Sequence, residues 1–441
     1  MFSETIVAVS TPMQEGAISI IRLSGPDAFS IVNKIFNKDL SNKPSHTITY
    51  GMIVDQDGED VDEVLVSIFR SPRSYTMEDV IEINCHGGVF VTKTILGLCI
   101  GNGARLARPG EFTERAFLNG RIDLTQAEGI NDLITATNKT DAKNAINSMK
   151  GSVTRLITPL IDDLLQIIAN IEVNIDYPEY DDVDILSQEV VLPMAKSWRK
   201  RIDEIIIKAQ NSMIVKDGVD TVILGKPNVG KSSLLNALLE EDKAIVTDIE
   251  GTTRDLVEGR IRLSNITLNL VDTAGIRETK DKVEQIGIAK SLDALSKAQL
   301  VIVVLDASTD LDKSDKKLLE ITKDYDRIIV YNKSDIRKTD NLSISALNND
   351  VSELIKVIEE KYEKQILASN ESTLNNERQI GLAISARNSM DEVINMLEDN
   401  VELDLVTIDL QKSYNSLKEI IGETSREDLI DALFSKFCLG K

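Results

Sequence analysis

The sequence predicts a multidomain chain of mixed α/β and all-α class: an N-terminal α+β domain, then a discontinuous helical domain into which a second α/β domain is inserted. Three observations predict it. Residues 4–118 alternate β-like and helix-like runs, the chain beyond about Arg121 carries apolar side chains at helical spacing, and a fresh strand and helix alternation starts at Val219 and yields to helical spacing again after about Tyr362. At roughly 100 to 200 residues per domain, 441 residues suit about three such bodies.

In the first body, Glu4 to Ser10, Ala17 to Ser24, Val61 to Phe69 and Asp79 to Asn84 read as strands, and Pro26 to Phe36 and Val89 to Cys99 as helices. The helical stripe then runs through Ala142, Ala145, Ile146, Met149, Val153, Leu156, Leu160, Leu164 and Ile168, a spacing that belongs to a packed face rather than to a site. Pro159 inside it predicts a kink, because proline lacks the backbone donor. An acidic stretch, Asp176 to Asp184, precedes another helix ending near Met213. Near the end, a helix from about Leu405 to Ile421 stops at Gly422, and Ser425 with Asp428 fits a capping box for a last helix. The expected boundaries are 1–118, 119–215, 216–364 and 365–441, with the second and fourth segments forming one helical domain.

Fifty Lys and Arg against 72 Asp and Glu give a net charge of −22, which excludes a protein coated in positive charge for gripping phosphates. Any RNA contact must be local or shared with a partner. Three cysteines (Cys85, Cys99, Cys438) at no metal-ligand spacing exclude a disulfide scaffold and a classical zinc site, and Cys85 and Cys99 read as core. With only His46 and His86, histidine catalysis is excluded from the remainder of the chain. No apolar run approaches the roughly 18 residues of a membrane span, and the N-terminus lacks a signal-peptide layout. The expectation is a cytoplasmic protein without membrane attachment.

The run Gly225 to Ser232 follows a β-like segment, Thr221 to Leu224, and precedes a helix-like one beginning at Ser233, which is the setting a phosphate-binding P-loop needs. Its glycines let backbone N–H groups turn inward. Asn228, Val229, Gly230, Lys231, Ser232 and Ser233 are the phosphate-side candidates, with Lys231 reaching the β- and γ-phosphates and Ser232 holding Mg²⁺. Four further elements follow in an order that resembles a TRAFAC-class GTPase, and the resemblance implies a Ras-like G domain for the inserted domain. Thr247, Asp248, Ile249, Glu250, Gly251, Thr252 and Thr253 form a switch whose Thr253 faces Mg²⁺ and the γ-phosphate. Asp272, Thr273, Ala274 and Gly275, after the strand Leu268 to Val271, supply a metal-side carboxylate and a glycine amide. Asn332, Lys333, Ser334 and Asp335, after the strand Ile328 to Tyr331, read guanine, since a carboxylate accepts from both N1–H and the exocyclic amine that adenine lacks.

The loop that cradles guanine O6 has two candidates, Ser345-Ala346-Leu347 and Ser385-Ala386-Arg387. We assign the first, because it ends the strand-like run Asn341 to Ser345 and precedes the amphipathic run Val351 to Tyr362, whereas Ser385 lies in returning helical spacing. Ile276 occupies the place where Ras-like switches carry a water-orienting glutamine, and an apolar side chain cannot position water. Something else must then meet the transition-state charge, a task worth about 10³ to 10⁵ in rate when an arginine finger performs it. Asn228 with the carbonyls of Thr247, Ile249 and Thr252 is one candidate, holding a monovalent cation; its other reading is a loop-shaping polar residue. Glu284 is either a water-orienter or part of a solvated helix face.

These motifs, with Ile20 to Gly25, Glu78 to Gly88, Ala107 to Asn119 and the terminal Phe437 to Lys441, resemble the bacterial tRNA-modification GTPase family MnmE (TrmE) over essentially the whole chain. The resemblance implies a folate-binding-like N-terminal domain that also dimerises, with 5-formyltetrahydrofolate contacts falling on Arg22, Glu82, Arg121 and Lys441. Arg121 stands where other members can carry lysine. It further implies GTP, Mg²⁺ and K⁺ as ligands and a homodimer that joins a flavin-dependent MnmG-type subunit in a heterotetramer or larger assembly. The substrate would be tRNA, gaining an aminomethyl or carboxymethylaminomethyl group at carbon 5 of the wobble uridine. Cys438 is either a buried cap of the last helix or a participant in that chemistry. The rival reading is a ribosome-assembly GTPase of the Era or Der type, which would be expected to carry a basic RNA module that this acidic chain does not display.

Overall fold

The computed structural model describes residues 4–136, 139–176, 188–240, 257–263, 266–271, 295, 298–362, 365, 373–424, 427–435, 437 and 440. The chain divides into two compact units, Met1–Arg199 with Gly381–Lys441 and Lys200–Ile380, so it leaves the first unit and later returns to it.

The first unit opens with β1 (Ile6–Val9), β2 (Ile18–Ser24), α1 (Ala28–Ile35), β3 (Thr47–Val54), β4 (Asp60–Phe69), β5 (Val80–His86), α2 (Val89–Gly101) and the short β6 (Arg105–Leu106). The strands form one sheet in the order β3-β4-β5-β2-β1-β6, antiparallel except for the β1 and β6 pair. Alternation does the sorting in β4: Val64, Val66 and Ile68 point into a core shared with Ile31, Val32 and Ile95 of the two helices, while Leu65 stays exposed. Each such buried aliphatic side chain contributes about 1.5 to 3 kcal/mol.

Strand β3 was not among the sequence-predicted strands. Gly51 interrupts its pattern, and the reason is packing: a Cβ there would lie 2.5 Å from the Phe36 ring.

Helices α3 (Glu111–Leu118), α4 (Leu124–Thr135), α5 (Lys139–Met149), α6 (Ser152–Asp176) and α7 (Gln188–Asp217) follow. The stripe predicted as one run from Ala142 to Ile168 is two helices, because Gly151 at φ +75° breaks the backbone between them. Val153, Leu160, Leu164 and Ile168 are buried as expected, but Ile146 and Met149 are exposed. Pro159 lies inside α6. Trp198 of α7 is buried and donates its indole N–H to the Leu160 carbonyl at 2.9 Å.

The second unit holds β7 (Val219–Leu224), α8 (Lys231–Glu240), β8 (Val257–Arg262), β9 (Thr267–Val271), β10 (Leu300–Asp306), α9 (Lys313–Ile321), β11 (Arg327–Asn332) and α10 (Ser352–Lys361). Its sheet runs β11-β10-β7-β9-β8, parallel apart from β8. Strand β10 is a continuous apolar run because both its faces are covered.

On its return the chain forms α11 (Glu377–Glu398), α12 (Leu403–Ile421) and α13 (Glu427–Phe434). Gly422 ends α12 at φ +90°, and a Cβ there would also press on Leu124 and Phe117. Phe434 and Phe437 pack with Leu124 and Ala127, tying the end of the chain to α4. Among the described residues, no helix is long and apolar enough to cross a membrane.

Candidate nucleotide site and N-terminal pocket

In an open parallel sheet, ligands bind beyond the carboxyl ends of the strands where the chain order reverses. Strand β7 lies between β10 and β9, and the run Gly225 to Ser232 leaves its carboxyl end. Gly225 sits so close to β10 that a Cβ would meet the Val304 carbonyl at 2.6 Å. Asn228 (φ +64°) and Gly230 (φ +95°) adopt left-handed backbone, which turns the loop sharply into α8.

Lys231 is the first residue of α8, and its ammonium donates to the carbonyls of Gly225 and Lys226, each at 2.7 Å. Burial pushes it below the usual lysine range. A cation at a helix N-terminus works against the helix dipole, so this arrangement favours an anion. Phosphate fits it.

The residues expected to read guanine follow β11. Asn332 is buried; its amide donates to the Val229 carbonyl at 2.9 Å, and its oxygen accepts from the Ala346 N–H at 3.0 Å. One side chain thus joins the phosphate loop to the Ser345 loop. Ser345 donates from its hydroxyl to Asp335 at 2.7 Å, which orients the carboxylate. Lys333 (φ +70°) reaches Asp306 at 2.6 Å, and Ser334 donates its N–H to Ile344. Burial opposes ionisation of Asp306, but hydrogen bonds from Lys333 and Ser308 hold its carboxyl below the usual range.

The expected strand from Asn341 to Ser345 is reduced to isolated bridges, Tyr331 with Ser343 and Ser345 with Asp350. A short 3₁₀ turn, Ala346–Asn348, follows, and Leu347 within it is largely exposed. Ser385 lies in the middle of α11 in the first unit, where Ser416 donates to it. The calls on Thr247, Asp248, Ile249, Glu250, Gly251, Thr252, Thr253, Asp272, Thr273, Ala274, Gly275, Glu284, Cys438 and Lys441 lie outside the described residues.

In the first unit, Arg22 of β2 and Glu82 of β5 face each other across the sheet and pair at 2.8 Å. Arg22 also donates to the Gly440 carbonyl at 3.2 Å, as does Ser10, so the chain's last stretch comes back to β1 and β2. Tyr75 has two guanidinium groups over its ring, Arg22 at 5.5 Å and Arg121 at 4.9 Å from its centre, and its carbonyl accepts from Arg121 at 2.9 Å. These three side chains, with Ile130, Leu133 and Met149 among others, line a cavity of about 480 Å³. Met149, predicted as core, therefore faces this cavity. Arg22, Glu82 and Arg121 are brought together.

Sequence reasoning missed Tyr75 and Asp306. Nothing local marks Tyr75. Asp306 did carry a signal, an acid closing a strand that is otherwise apolar from Leu300 to Leu305, at the carboxyl edge where ligands bind.

Comparison with known proteins identifies the family of the chain. The family model described as the MnmE helical domain matches residues 124–438, and the one described as the GTP-binding protein TrmE N-terminus matches residues 5–121. The tRNA modification GTPase MnmE of Pediococcus pentosaceus is 46% identical, covering 99% of this chain and 98% of its own. Those of Lactobacillus johnsonii (48%; 99% and 98%) and Bacillus velezensis (45%; 99% and 100%) are similar over as much.

Proposed function

Because the chain belongs to the MnmE family of tRNA-modification GTPases, we propose that it hydrolyses GTP in its second unit and that this hydrolysis serves modification of the wobble uridine of certain tRNAs. The observation that carries the GTP half is the pair of Asn332 hydrogen bonds to Val229 and Ala346, which supports reading the two joined loops as those for phosphate and guanine.

In this reading, Lys231 and the N–H groups of residues 228–233 take the phosphates, and Asp335, held by Ser345, takes the guanine edge through N1–H and the exocyclic amine. Ser232 and Thr253 would hold Mg²⁺, with Asp272 beside them, and the ion would neutralise charge on the phosphates. Asn228 with the carbonyls of Thr247, Ile249 and Thr252 would hold K⁺, supplying the positive charge that Ile276 cannot help to place. Glu284 would orient the attacking water.

The tRNA half rests on the first unit. A cavity lined by Arg22, Arg121 and Tyr75 together with apolar side chains suits a flat heteroaromatic ligand with an anionic tail, which describes 5-formyltetrahydrofolate. Arg22 already engages one oxygen of Glu82, so Glu82 would meet the pterin donors as half of an ion pair rather than as a free carboxylate. Lys441 would meet the ligand's negative tail, and Cys438 would act beside it. The protein works as a cytoplasmic homodimer with a flavin-dependent MnmG-type subunit, in a heterotetramer or larger assembly, and attaches an aminomethyl or carboxymethylaminomethyl group at carbon 5. Residues 1–118 form the folate and dimerisation domain, 119–215 and 365–441 the helical domain, and 216–364 the G domain.

The test is mass spectrometry of nucleosides from the tRNA of cells lacking the gene. Loss of the carbon-5 groups, restored by the intact gene and not by Lys231→Ala, is the expected result. An unchanged profile would sink the tRNA half and favour a ribosome-assembly role.

A further inference from the structure

The stretch from the end of β10 into the first turn of α9 carries four acids within ten positions, Asp306, Asp310, Asp312 and Asp315, and each meets a cation from one of the two nucleotide loops. Asp306 takes Lys333 and Asp310 takes Arg337, both from the guanine side. The third pairing is the unusual one. Lys226, the second residue of the phosphate loop, places its ammonium 2.8 Å from Asp312 and 2.7 Å from Asp315.

Most exposed ion pairs hold little, and Arg337 with Asp310 is of that kind. The Lys226 pairing differs in three respects. The Asp315 side chain is only 4% exposed, so its charge needs a partner. The two carboxylates also form the capping box of α9: Asp312 accepts from the N–H groups of Ser314 and Asp315, and Asp315 accepts from that of Asp312. They are therefore fixed before Lys226 arrives. Lastly, the Lys226 carbonyl is one of the two acceptors of the Lys231 ammonium, so the residue anchored by its side chain is the one whose backbone holds the phosphate-binding lysine.

We infer that Lys226 is a positioning residue for nucleotide binding: the capped start of α9 grips its ammonium and so presets the phosphate loop around Lys231. This deepens the GTPase reading and rests on it. A loop set in advance loses less freedom when nucleotide arrives, so the benefit falls equally on GDP and GTP and not on the chemical step.

The experiment uses the full chain, with a fluorescent GDP analogue for affinity, GTP turnover for kcat and KM, and thermal melting for stability. Lys226→Met should weaken GDP and raise the KM for GTP together, by about tenfold, with kcat within about twofold of wild type. Lys226→Arg should restore affinity, because a guanidinium can span both carboxylates. Lys226→Met also strands Asp315, so adding Asp315→Asn should recover the lost melting temperature while affinity stays low. Wild-type affinity in Lys226→Met would overturn the inference, as would recovery of affinity together with melting temperature in the double variant, since the contact would then serve stability alone. Failure of wild-type protein to bind any guanine nucleotide would instead remove the GTPase reading, and this inference with it.

Discussion

The Asn332 amide donates to the Val229 carbonyl at 2.9 Å, linking residues 103 positions apart across the carboxyl edge of the sheet. Its oxygen takes the Ala346 N–H, and Gly230 has no room for a Cβ because the Asn332 amide fills that place. Asn332→Ala leaves a buried carbonyl and a buried N–H without partners. At about 1 to 3 kcal/mol for each of the two unsatisfied groups, guanine nucleotides should bind at least about 30-fold more weakly. Titration with a fluorescent GDP analogue measures it; an unchanged Kd would mean that the loops are placed by their own backbones.

Ser345 and Ser385 present a cleaner contrast, since both begin a Ser-Ala pair. Ser345 orients Asp335 at 2.7 Å, whereas Ser385 lies in α11 of the other unit. Ser345→Ala removes a hydrogen bond to a carboxylate, about 1.5 to 3 kcal/mol, and should weaken GTP binding by roughly 10- to 100-fold. Ser385→Ala should leave GTP affinity at the wild-type value. Equal effects would undo the choice of guanine loop.

What the sequence reveals here depends on whether a position's chemistry is fixed locally. Lys231 and Asp335 are legible as candidates because a phosphate site and a guanine site demand those residue types at set distances from a strand end. Lys226 and Tyr75 are ordinary residues whose meaning comes from partners far along the chain, Asp315 and Arg121, and no spacing announces that. Strand β3 was hidden by Gly51, a residue chosen by the Phe36 ring rather than by the strand. The break at Gly151 was hidden because the apolar periodicity continues through it, although the backbone turns at φ +75°.

His86 pairs with Asp62 at 2.6 Å, and the hydrogen bond and charge of that carboxylate raise its pKa above 6.5. A folded-state value above the unfolded one means that this contact stabilises fully below pH 6.5 and is lost as pH rises through the folded value. The chain has two histidines, so the assignment is simple by NMR titration of the ring protons. His86 should titrate above 6.5 and fall back in Asp62→Asn. A midpoint at or below 6.5 in wild type would contradict the pairing.

Arg115 is 1% exposed and donates to Glu78 at 3.1 Å, to Glu111 at 3.2 Å and to the Glu4 carbonyl at 3.0 Å. Replacing it with Met leaves two carboxylates short of a partner in the interior, which costs about 3 to 5 kcal/mol. The urea midpoint of the full chain should fall accordingly. Burial opposes ionisation of Glu111, but Arg105, the Arg108 N–H and the Arg115 charge together hold its carboxyl below 4.5, so the share of stability that Arg115 draws from it is present above that value and drains away as pH falls through the folded-state value. Arg115→Met should therefore lose more stability at pH 7 than at pH 3; equal losses would mean that the cost is packing alone.

Gly440 decides whether the end of the chain can return to the pocket. It sits at φ +86°, and a Cβ would lie 2.6 Å from the Val9 carbonyl and 2.9 Å from the Ser10 Cα. Neither is the end of a flexible side chain, so the backbone itself would have to shift. Gly440→Ala therefore breaks the contacts of the Gly440 carbonyl with Ser10 and Arg22 and carries left-handed strain of about 1 to 3 kcal/mol besides. The fold should survive, since the core around Phe434 and Phe437 lies before this residue. Calorimetry with 5-formyltetrahydrofolate should show roughly tenfold or greater loss of affinity, while Gly97→Ala, in a position with open space, binds as wild type. If Gly440→Ala binds folate normally, the tail is not part of the pocket, and Arg22 acts there without it.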